Sequence, residues 1–416
     1  MFNSPHGRRD GGAREAAFFM TSIFAERGRI LVTTPKRLSG YLAGELVALD
    51  VPVISEMITG VETEGTLADA MTLNLHLRTA HRVLFLLGSF SARTPDDLYR
   101  GVTAISWEDY IDADEYLSIV SSVDTPSIRD TQFANVKCKD AIVDRIRNRT
   151  GRRPDSGADC SGVVVFLYWK DDDCAIYLDT SGEPLNRRGY RAIPYRAPMQ
   201  ETLAAAVVMA TGWEGDGNFI NPMCGSGTLA IEAALAALGR APGLHRRDFA
   251  FMHLRGFERE AWDDLRRAAR AAGRRRLDGR IIVTDHSPDA ITAARKNAAT
   301  AGVDHLMEFS VCDFAETPVP EDGGVVVLNP EYGRRLGDAR RLEETYRRIG
   351  DFFKQKCQGY RGYVFTAGPD LAKRIGLRTS RRIPFYNTTL DCRLLEYELY
   401  AGTRKHRQDE ELPSIM

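Results

Sequence analysis

The 416-residue sequence predicts an α/β protein, with a doubly wound, mostly parallel sheet in its C-terminal half and a mixed α+β unit before it. Three observations carry this. Past residue 198, short apolar runs and helix-like segments alternate strictly, the pattern of repeated βαβ units with helices on both faces of one sheet. Val325-Val326-Val327-Leu328 is apolar throughout, as a strand covered on both faces must be. A glycine-rich turn, Asn221-Pro222-Met223-Cys224-Gly225-Ser226-Gly227-Thr228, joins the first strand of this half to its helix.

In chain order, residues 30–33 read as a strand, and Leu38, Leu42, Leu46 and Leu49 then recur at helical spacing. A β-prone stretch over 51–58 leads to a helix over 67–77, with Leu67, Met71 and Leu75 on one face. Residues 82–90 (RVLFLLGSF) form a buried strand. Thr94 caps the next helix, with Pro95 at its first position. A strand over 114–123 and a helix over 133–149 follow, then a strand pair, 163–169 and 175–179, around a turn at 170–173. In the C-terminal half, helices are expected over 203–211, 228–238, 288–301 (Ser287 as N-cap) and 342–357. Strands are expected over 218–221, 280–284, 307–311, 325–328 and 360–366. The pattern changes near 185–200, so 181–200 reads as a linker before a domain at 201–401. Residues 1–20 lack the apolar core of a signal peptide and read as a disordered extension, with Met20 an alternative start; 402–416 read as a flexible tail.

The composition is that of an ordinary globular protein, 43% apolar and 27% charged, which excludes collagen-like, coiled-coil and wholly disordered chains. No apolar run approaches a membrane span. Fifty-six Lys+Arg oppose 57 Asp+Glu, so a nucleic-acid surface has to be a local patch. Seven scattered cysteines argue against a disulfide framework and for a reducing compartment, the cytoplasm, and no zinc-ligand spacing appears; no metal is expected.

The glycine turn lets the backbone approach a ligand closely. The next strand ends in Asp285, placed to accept bonds from ribose hydroxyls. The one after ends in Cys312-Asp313-Phe314, where a carboxylate can meet an exocyclic amine beside an aromatic ring. The last ends in Asn329-Pro330-Glu331-Tyr332. Four successive strand ends thus carry polar or glycine elements at the edge where open α/β sheets bind ligands. A dinucleotide dehydrogenase fits less well. Ala230 stands where its third glycine belongs, and Asp285 comes far beyond the ~20 residues that fingerprint prefers.

The Asn-Pro-x-Tyr turn suits methyl transfer to an amine on an aromatic base. Such a nitrogen is a poor nucleophile, because its lone pair is delocalised. An Asn side-chain oxygen and a backbone carbonyl can each accept one N–H, Pro330 fixes the chain, and Tyr332 can stack on the base. The rest is positioning of the methyl donor.

With these residues in hand, the sequence resembles the bacterial 23S rRNA guanine-N2 methyltransferase family. In that family a ferredoxin-like part and a THUMP RNA-binding domain precede a class I, Rossmann-like methyltransferase domain. NPMCGSGTLAIEAA resembles its donor-binding turn, TDHSPDAITAARKNAATAG its acidic strand end, and LNPEYGRRLG its NPPYG(E/x)RLG motif. LDTSGEPLNRRGYR and APMQETLAAA resemble its domain join, and FTAGPDL and LDCRLLEYELY its C-terminal strands. The likeness covers about residues 21–401. It implies a ferredoxin-like part at 21–65 and a THUMP domain at 66–180. It also implies S-adenosylmethionine as cofactor, held by Asn221, Cys224, Gly225 and Gly227, with Asp285 on the ribose, Asp313 on the adenine amine and Phe314 packing nearby. Asn329, Pro330 and Tyr332 would hold the target guanine amine. Glu331 stands where the family has a second Pro. The length leaves no room for the second methyltransferase domain of larger members.

RNA is therefore the expected partner, 23S rRNA first and tRNA second, with phosphate contacts from Lys137, Arg145, Arg149 and Arg188. The arginines at 266, 267, 270, 274, 275 and 276 form a further basic cluster. A catalytically silent RNA-binding assembly factor is the alternative of another class, motivated by Glu331. A DNA amino-methyltransferase shares the two core motifs without the first half.

Overall fold

A computed structural model of the chain describes residues 22–195, 198–332 and 339–400. The expected terminal extensions 1–20 and 402–416, and Gly333 of the second motif, lie outside them.

The first half builds one continuous sheet. Its strands are β1 (Gly28–Thr33), β2 (Ser55–Met57), β3 (Gly60–Gly65), β4 (Arg82–Ser91), β5 (Tyr116–Asp124), β6 (Asp155–Gly157), β7 (Val163–Lys170) and β8 (Asp173–Asp179), in the spatial order β2-β3-β1-β4-β8-β7-β5-β6. Helices α1 (Ser22–Ala25), α2 (Ser39–Ala48), α3 (Leu67–His76), α4 (Pro95–Ala104) and α5 (Thr131–Thr150) accompany it. The caps of α3 and α4 follow from sequence. Thr66 and Thr94 each accept an N–H from an Asp three residues on, which bonds back to the cap backbone. The β-prone 51–58 stretch contracts to β2, and β3 carries no apolar run (GVETEG), so periodicity does not announce it. It exists because it pairs with β1 over six residues and with β2 on its other side.

The second half is a seven-stranded sheet. Helix α6 (Glu201–Thr211) precedes β9 (Asn218–Pro222) and α7 (Thr228–Ala237). An insertion follows, containing α8 (Arg259–Ala272), and then β10 (Ile281–Asp285), α9 (Pro288–Thr300), β11 (Met307–Val311), β12 (Gly324–Leu328), α10 (Ala339–Lys356), β13 (Tyr360–Thr366), α11 (Pro369–Arg374), β14 (Arg381–Asn387) and β15 (Leu390–Glu398). The order is β11-β10-β9-β12-β13-β15-β14. Strands β9 to β13 are parallel, and β15 and β14 are antiparallel. The order of strands reverses around β9, which pairs with β10 on one side and β12 on the other, the switch point where such sheets bind ligands.

The halves are not beads on a string. Phe249, Phe251, Leu254, Trp262 and Ala269 of the insertion bury themselves in the core of the first half, while Leu38 of the first half lies in the core of the second. The stretch 181–200, expected as a linker, is anchored near its middle. Arg188 and Tyr190 are each 1% exposed. Arg188 pairs with Glu232 (2.9 Å) and donates to the Arg78 carbonyl (2.5 Å), and the Tyr190 hydroxyl donates to the same Glu232 oxygen (2.9 Å). A charge that deep is tolerated only when paired, so the chain at 188–190 is a fixed joint.

Candidate active site

The four tips named from sequence stand side by side, because β11, β10, β9 and β12 are consecutive in the sheet. Hydrogen bonds to backbone carbonyls tie them together. Cys224 N–H donates to the Thr284 carbonyl (3.0 Å), Cys312 N–H to the Asp285 carbonyl (3.1 Å), and Asn221 Nδ2 to the Val327 carbonyl (2.9 Å).

The glycine turn is left-handed at Met223 (φ 56°), Gly225 (φ 56°) and Gly227 (φ 81°). Its glycines have different reasons. A Cβ at Gly225 would meet nothing within 4 Å, so the space beside it is open. At Gly227 it would lie 2.9 Å from the Ala294 Cβ, so this glycine lets α7 sit against α9. Met223 has no such excuse; a non-glycine residue held left-handed is strain of the sort found at functional sites. Asp285 latches the turn. It is 7% exposed, and its carboxylate accepts the N–H of Gly225 (3.0 Å) and of Ser287 (3.0 Å). His286 Nδ1 lies 3.3 Å from the same carboxylate.

Asp313 caps the short turn after β11, accepting the Ala315 N–H (2.9 Å), and pairs with Arg348 of α10 (2.5 Å). The Arg348 guanidinium also lies 4.9 Å above the Phe314 ring. Phe314 itself is 5% exposed and packs edge-on to Phe352 at 6.2 Å, within the core below the sheet. It props the Asp313 loop from beneath. Charge spacing along the sequence gave no sign of Arg348, because its partner lies 35 residues away.

On the β12 tip, Pro330 is buried and Glu331 exposed. The Asn329 Oδ1 is buried and accepts no hydrogen bond among the described residues; the same holds for Asn221 Oδ1. A native buried acceptor left empty is a place for a ligand donor. Tyr332 is half-buried. Its hydroxyl accepts from Asn387 Nδ2 (2.9 Å), its ring stands edge-on to Phe365 (6.1 Å), and burial pushes its phenol up to about 12. Burial, with the Asp285 charge beside it, also pushes the Cys224 thiol well above its usual value. Both groups stay protonated at neutral pH, so neither is a thiolate or phenolate base.

Segment 188–195 reaches this turn from behind. Arg191 donates to Ser226 Oγ (3.1 Å) and pairs with Glu201 (3.0 Å); Asn297 Nδ2 donates to both the Ile193 and Ser226 carbonyls; Tyr195 bonds Ser287 Oγ (3.1 Å).

The expected phosphate contacts need correction. Arg188 is the buried pair described above. Arg145 is sequestered too: it forks onto Glu108 (2.8 and 2.9 Å) and donates to the Thr103 and Ala104 carbonyls and to Ser106 Oγ. Neither guanidinium is presented to a ligand. Lys137 pairs with Asp96 (3.0 Å) and sits 5.2 Å from the Tyr99 ring. Arg149 is 65% exposed, 3.6 Å from Glu108. The arginines from 266 to 276 run from α8 toward the start of β10, the end of the strands opposite the tips. Among the described residues no His/Cys/Asp/Glu group has metal-ligand clustering, and no helix is long and apolar enough to cross a membrane.

Comparison with known proteins fits this geometry. The RMKL-like methyltransferase domain matches residues 188–396, the RlmL ferredoxin-like domain 29–84 and the THUMP domain 92–179. The chain belongs to the RMKL-like methyltransferase family. Within the family, ribosomal RNA large subunit methyltransferase K/L of Syntrophotalea carbinolica is 38% identical over 382 residues, covering 89% of this chain and 53% of that protein. A Synechocystis sp. protein named provisionally as an RNA methyltransferase is 34% identical, covering 91% of this chain and 99% of that one. The chain thus spans about half the length of the K/L relatives it matches. Among solved structures, SMU.472, described provisionally as a methyltransferase and complexed with S-adenosylhomocysteine, has TM-score 0.82 at 26% identity, over 91% of this chain and 99% of that one. A Listeria monocytogenes protein described as a predicted N6-adenine-specific DNA methylase has TM-score 0.81 at 29% identity, over 91% and 97%. The sheet is accordingly the class I methyltransferase fold, preceded by ferredoxin-like and THUMP domains.

Proposed function

We propose that the protein is an S-adenosylmethionine-dependent RNA methyltransferase that forms N2-methylguanosine, in 23S rRNA, in the cytoplasm. The observation that carries the amine-transfer reading is the unfilled Asn329 Oδ1 at the β12 tip, beside the latched glycine turn. The names of the K/L relatives and the THUMP match support an RNA substrate, and the S-adenosylhomocysteine in SMU.472 supports the donor.

The residues fit that donor. Asp285 would hold the ribose hydroxyls with the lone pairs its two N–H bonds leave free. Asp313, oriented by Arg348, would take the adenine amine. The open space beside Gly225 and the unfilled Asn221 Oδ1 would admit the rest, with Cys224 and Gly227 shaping the turn. S-adenosylmethionine supplies an electrophilic methyl on sulfur. Asn329 Oδ1 and the Pro330 carbonyl would each accept one N–H of the guanine amine and so orient its lone pair toward a bound donor. Transfer would exchange an S–C for an N–C bond, and water or exposed Glu331 would take the surplus proton. Tyr332, pinned by Asn387 and Phe365, walls the base. The deciding experiment is mass spectrometry of rRNA and tRNA from a deletion strain. Loss of N2-methylguanosine from the large-subunit rRNA pool is expected. Loss from tRNA alone would move the substrate, and no loss from either, together with no methyl incorporation by the purified protein, would refute the reading.

A further inference from the structure

The amine pocket is not walled by the methyltransferase half alone. Tyr332 stands edge-on to Phe365 (6.1 Å), Phe365 packs on Phe385 (6.0 Å), and Phe385 stacks on Tyr41 of α2 at 5.9 Å and 12°. This ladder of four rings runs from the substrate loop into the ferredoxin-like domain. Immediately before α2, Leu38 is 0% exposed within the methyltransferase core, and the loop 35–37 ahead of it meets the β14–β15 hairpin. There Lys36 Nζ sits 4.3 Å above the Tyr386 ring, and the next residue, Asn387, holds the Tyr332 hydroxyl.

Two cations crown this contact. Lys36 and Arg37 are exposed, and among the described residues neither has a carboxylate within ion-pair distance. Asp391 on the hairpin feels both charges but is engaged directly by Arg393. Arg37 is also held left-handed (φ 73°) without being glycine, a strained backbone conformation. On α5, by contrast, Lys137, Lys139, Arg145 and Arg147 each meet a carboxylate. The cations of that helix are largely neutralised, whereas these two beside the pocket are not.

We propose that Lys36 and Arg37 form a phosphate clamp of the ferredoxin-like domain, gripping the RNA backbone next to the target nucleotide as it turns into the amine pocket over the β14–β15 turn. The inference rests on the RNA-methyltransferase reading above. Phosphate is the chemistry such a pair fits: two adjacent cations without sequence-reading groups position a strand rather than identify it. The strand crossing here passes exposed Leu390 and half-buried Tyr386, an apolar and an aromatic surface suited to unstacked bases.

The test uses the full chain and a fluorescein-labelled single-stranded 20-nucleotide RNA, titrated between 50 and 200 mM salt. Lys36→Gln/Arg37→Gln should raise Kd roughly tenfold at low salt. It should also flatten the log Kd against log salt slope by about 1.4, at ~0.7 per phosphate on a single strand. S-adenosylhomocysteine affinity, read by calorimetry, should stay as in the wild type, which also certifies the fold. The charge-keeping Lys36→Arg/Arg37→Lys pair should bind RNA normally. Unchanged Kd and slope in the Gln pair, or an equal loss in the charge-keeping pair, would overturn the clamp. The readout is binding, so it stands apart from the parent reading. A wild type that binds this RNA through the clamp but methylates no rRNA would sink the proposed reaction and leave the clamp.

Discussion

Asn329→Ala separates a catalytic acceptor from a structural one. Its Oδ1 is buried and receives no hydrogen bond among the described residues. Such an atom carries a desolvation cost of about 1–3 kcal/mol in the unliganded protein. Truncation to Ala removes that cost and loses some packing, so net stability should change by no more than about 1 kcal/mol, with a gain possible. For a domain of this size that is a Tm shift of about 2–4 °C at most. Methyl transfer should respond very differently. Deleting one hydrogen-bonding group from a preorganised site costs about 10²–10³ in turnover. The paired assay is a thermal melt of the unliganded protein and single-turnover transfer of labelled methyl to rRNA from a deletion strain, with S-adenosylhomocysteine affinity as control. A variant that melts many degrees lower would show that Asn329 serves the fold. Turnover within a few-fold of wild type would show that its oxygen does not hold the amine. Either result refutes the reasoning.

Further expectations follow from other contacts. Asp285→Ala deletes a carboxylate that accepts two backbone N–H groups and would meet the ribose. Donor affinity should weaken at least 100-fold, near 3 kcal/mol, and an unchanged calorimetric Kd would count against the ribose role. Arg348→Ala should raise the donor KM more than it lowers kcat, with Arg348→Lys recovering only part, since Lys cannot both pair with Asp313 and cover Phe314; an equal fall in both parameters would contradict this. Glu232→Ala strands buried Arg188 and should cost about 3–5 kcal/mol by denaturant titration, whereas Arg188→Met/Glu232→Leu should recover most of it. Burial, with Arg82 beside it, depresses His81 to about 4. The folded state therefore binds fewer protons than the unfolded state between about 4 and 6.5, so this group's contribution to stability is complete above 6.5 and falls away below it. His81→Gln should flatten that acid limb in melts at stepped pH, and parallel curves would exclude His81 as its source.

The strand tips were legible because parallel βαβ chains leave two strong marks, short apolar strands and polar residues where they stop. Alternation alone placed Gly225, Asp285, Asp313 and Asn329 at one edge, and the sheet order sets their tips side by side. Other features were not legible, for one physical reason: a residue's partner is a property of the fold. Arg145 and Arg188 look like phosphate contacts until Glu108 and Glu232, 37 and 44 residues distant, turn out to hold them. Asn387 has no mark of its own in a hairpin, yet its amide fixes Tyr332 across 55 residues. Strand β3 has no apolar run because its place is decided by two neighbours. The apparent linker read as loop because RRGYR is polar, and only burial shows it to be a joint.

The exchange of core residues between halves has a consequence for biogenesis. The sheet that forms first at the ribosome cannot seal its interior until Trp262 and its companions have been translated, because that interior borrows them. Contacts of such long range delay closure and leave apolar surface uncovered while synthesis proceeds. A nascent chain halted before the insertion should cling to holdase chaperones, and one released just past α8 should let go.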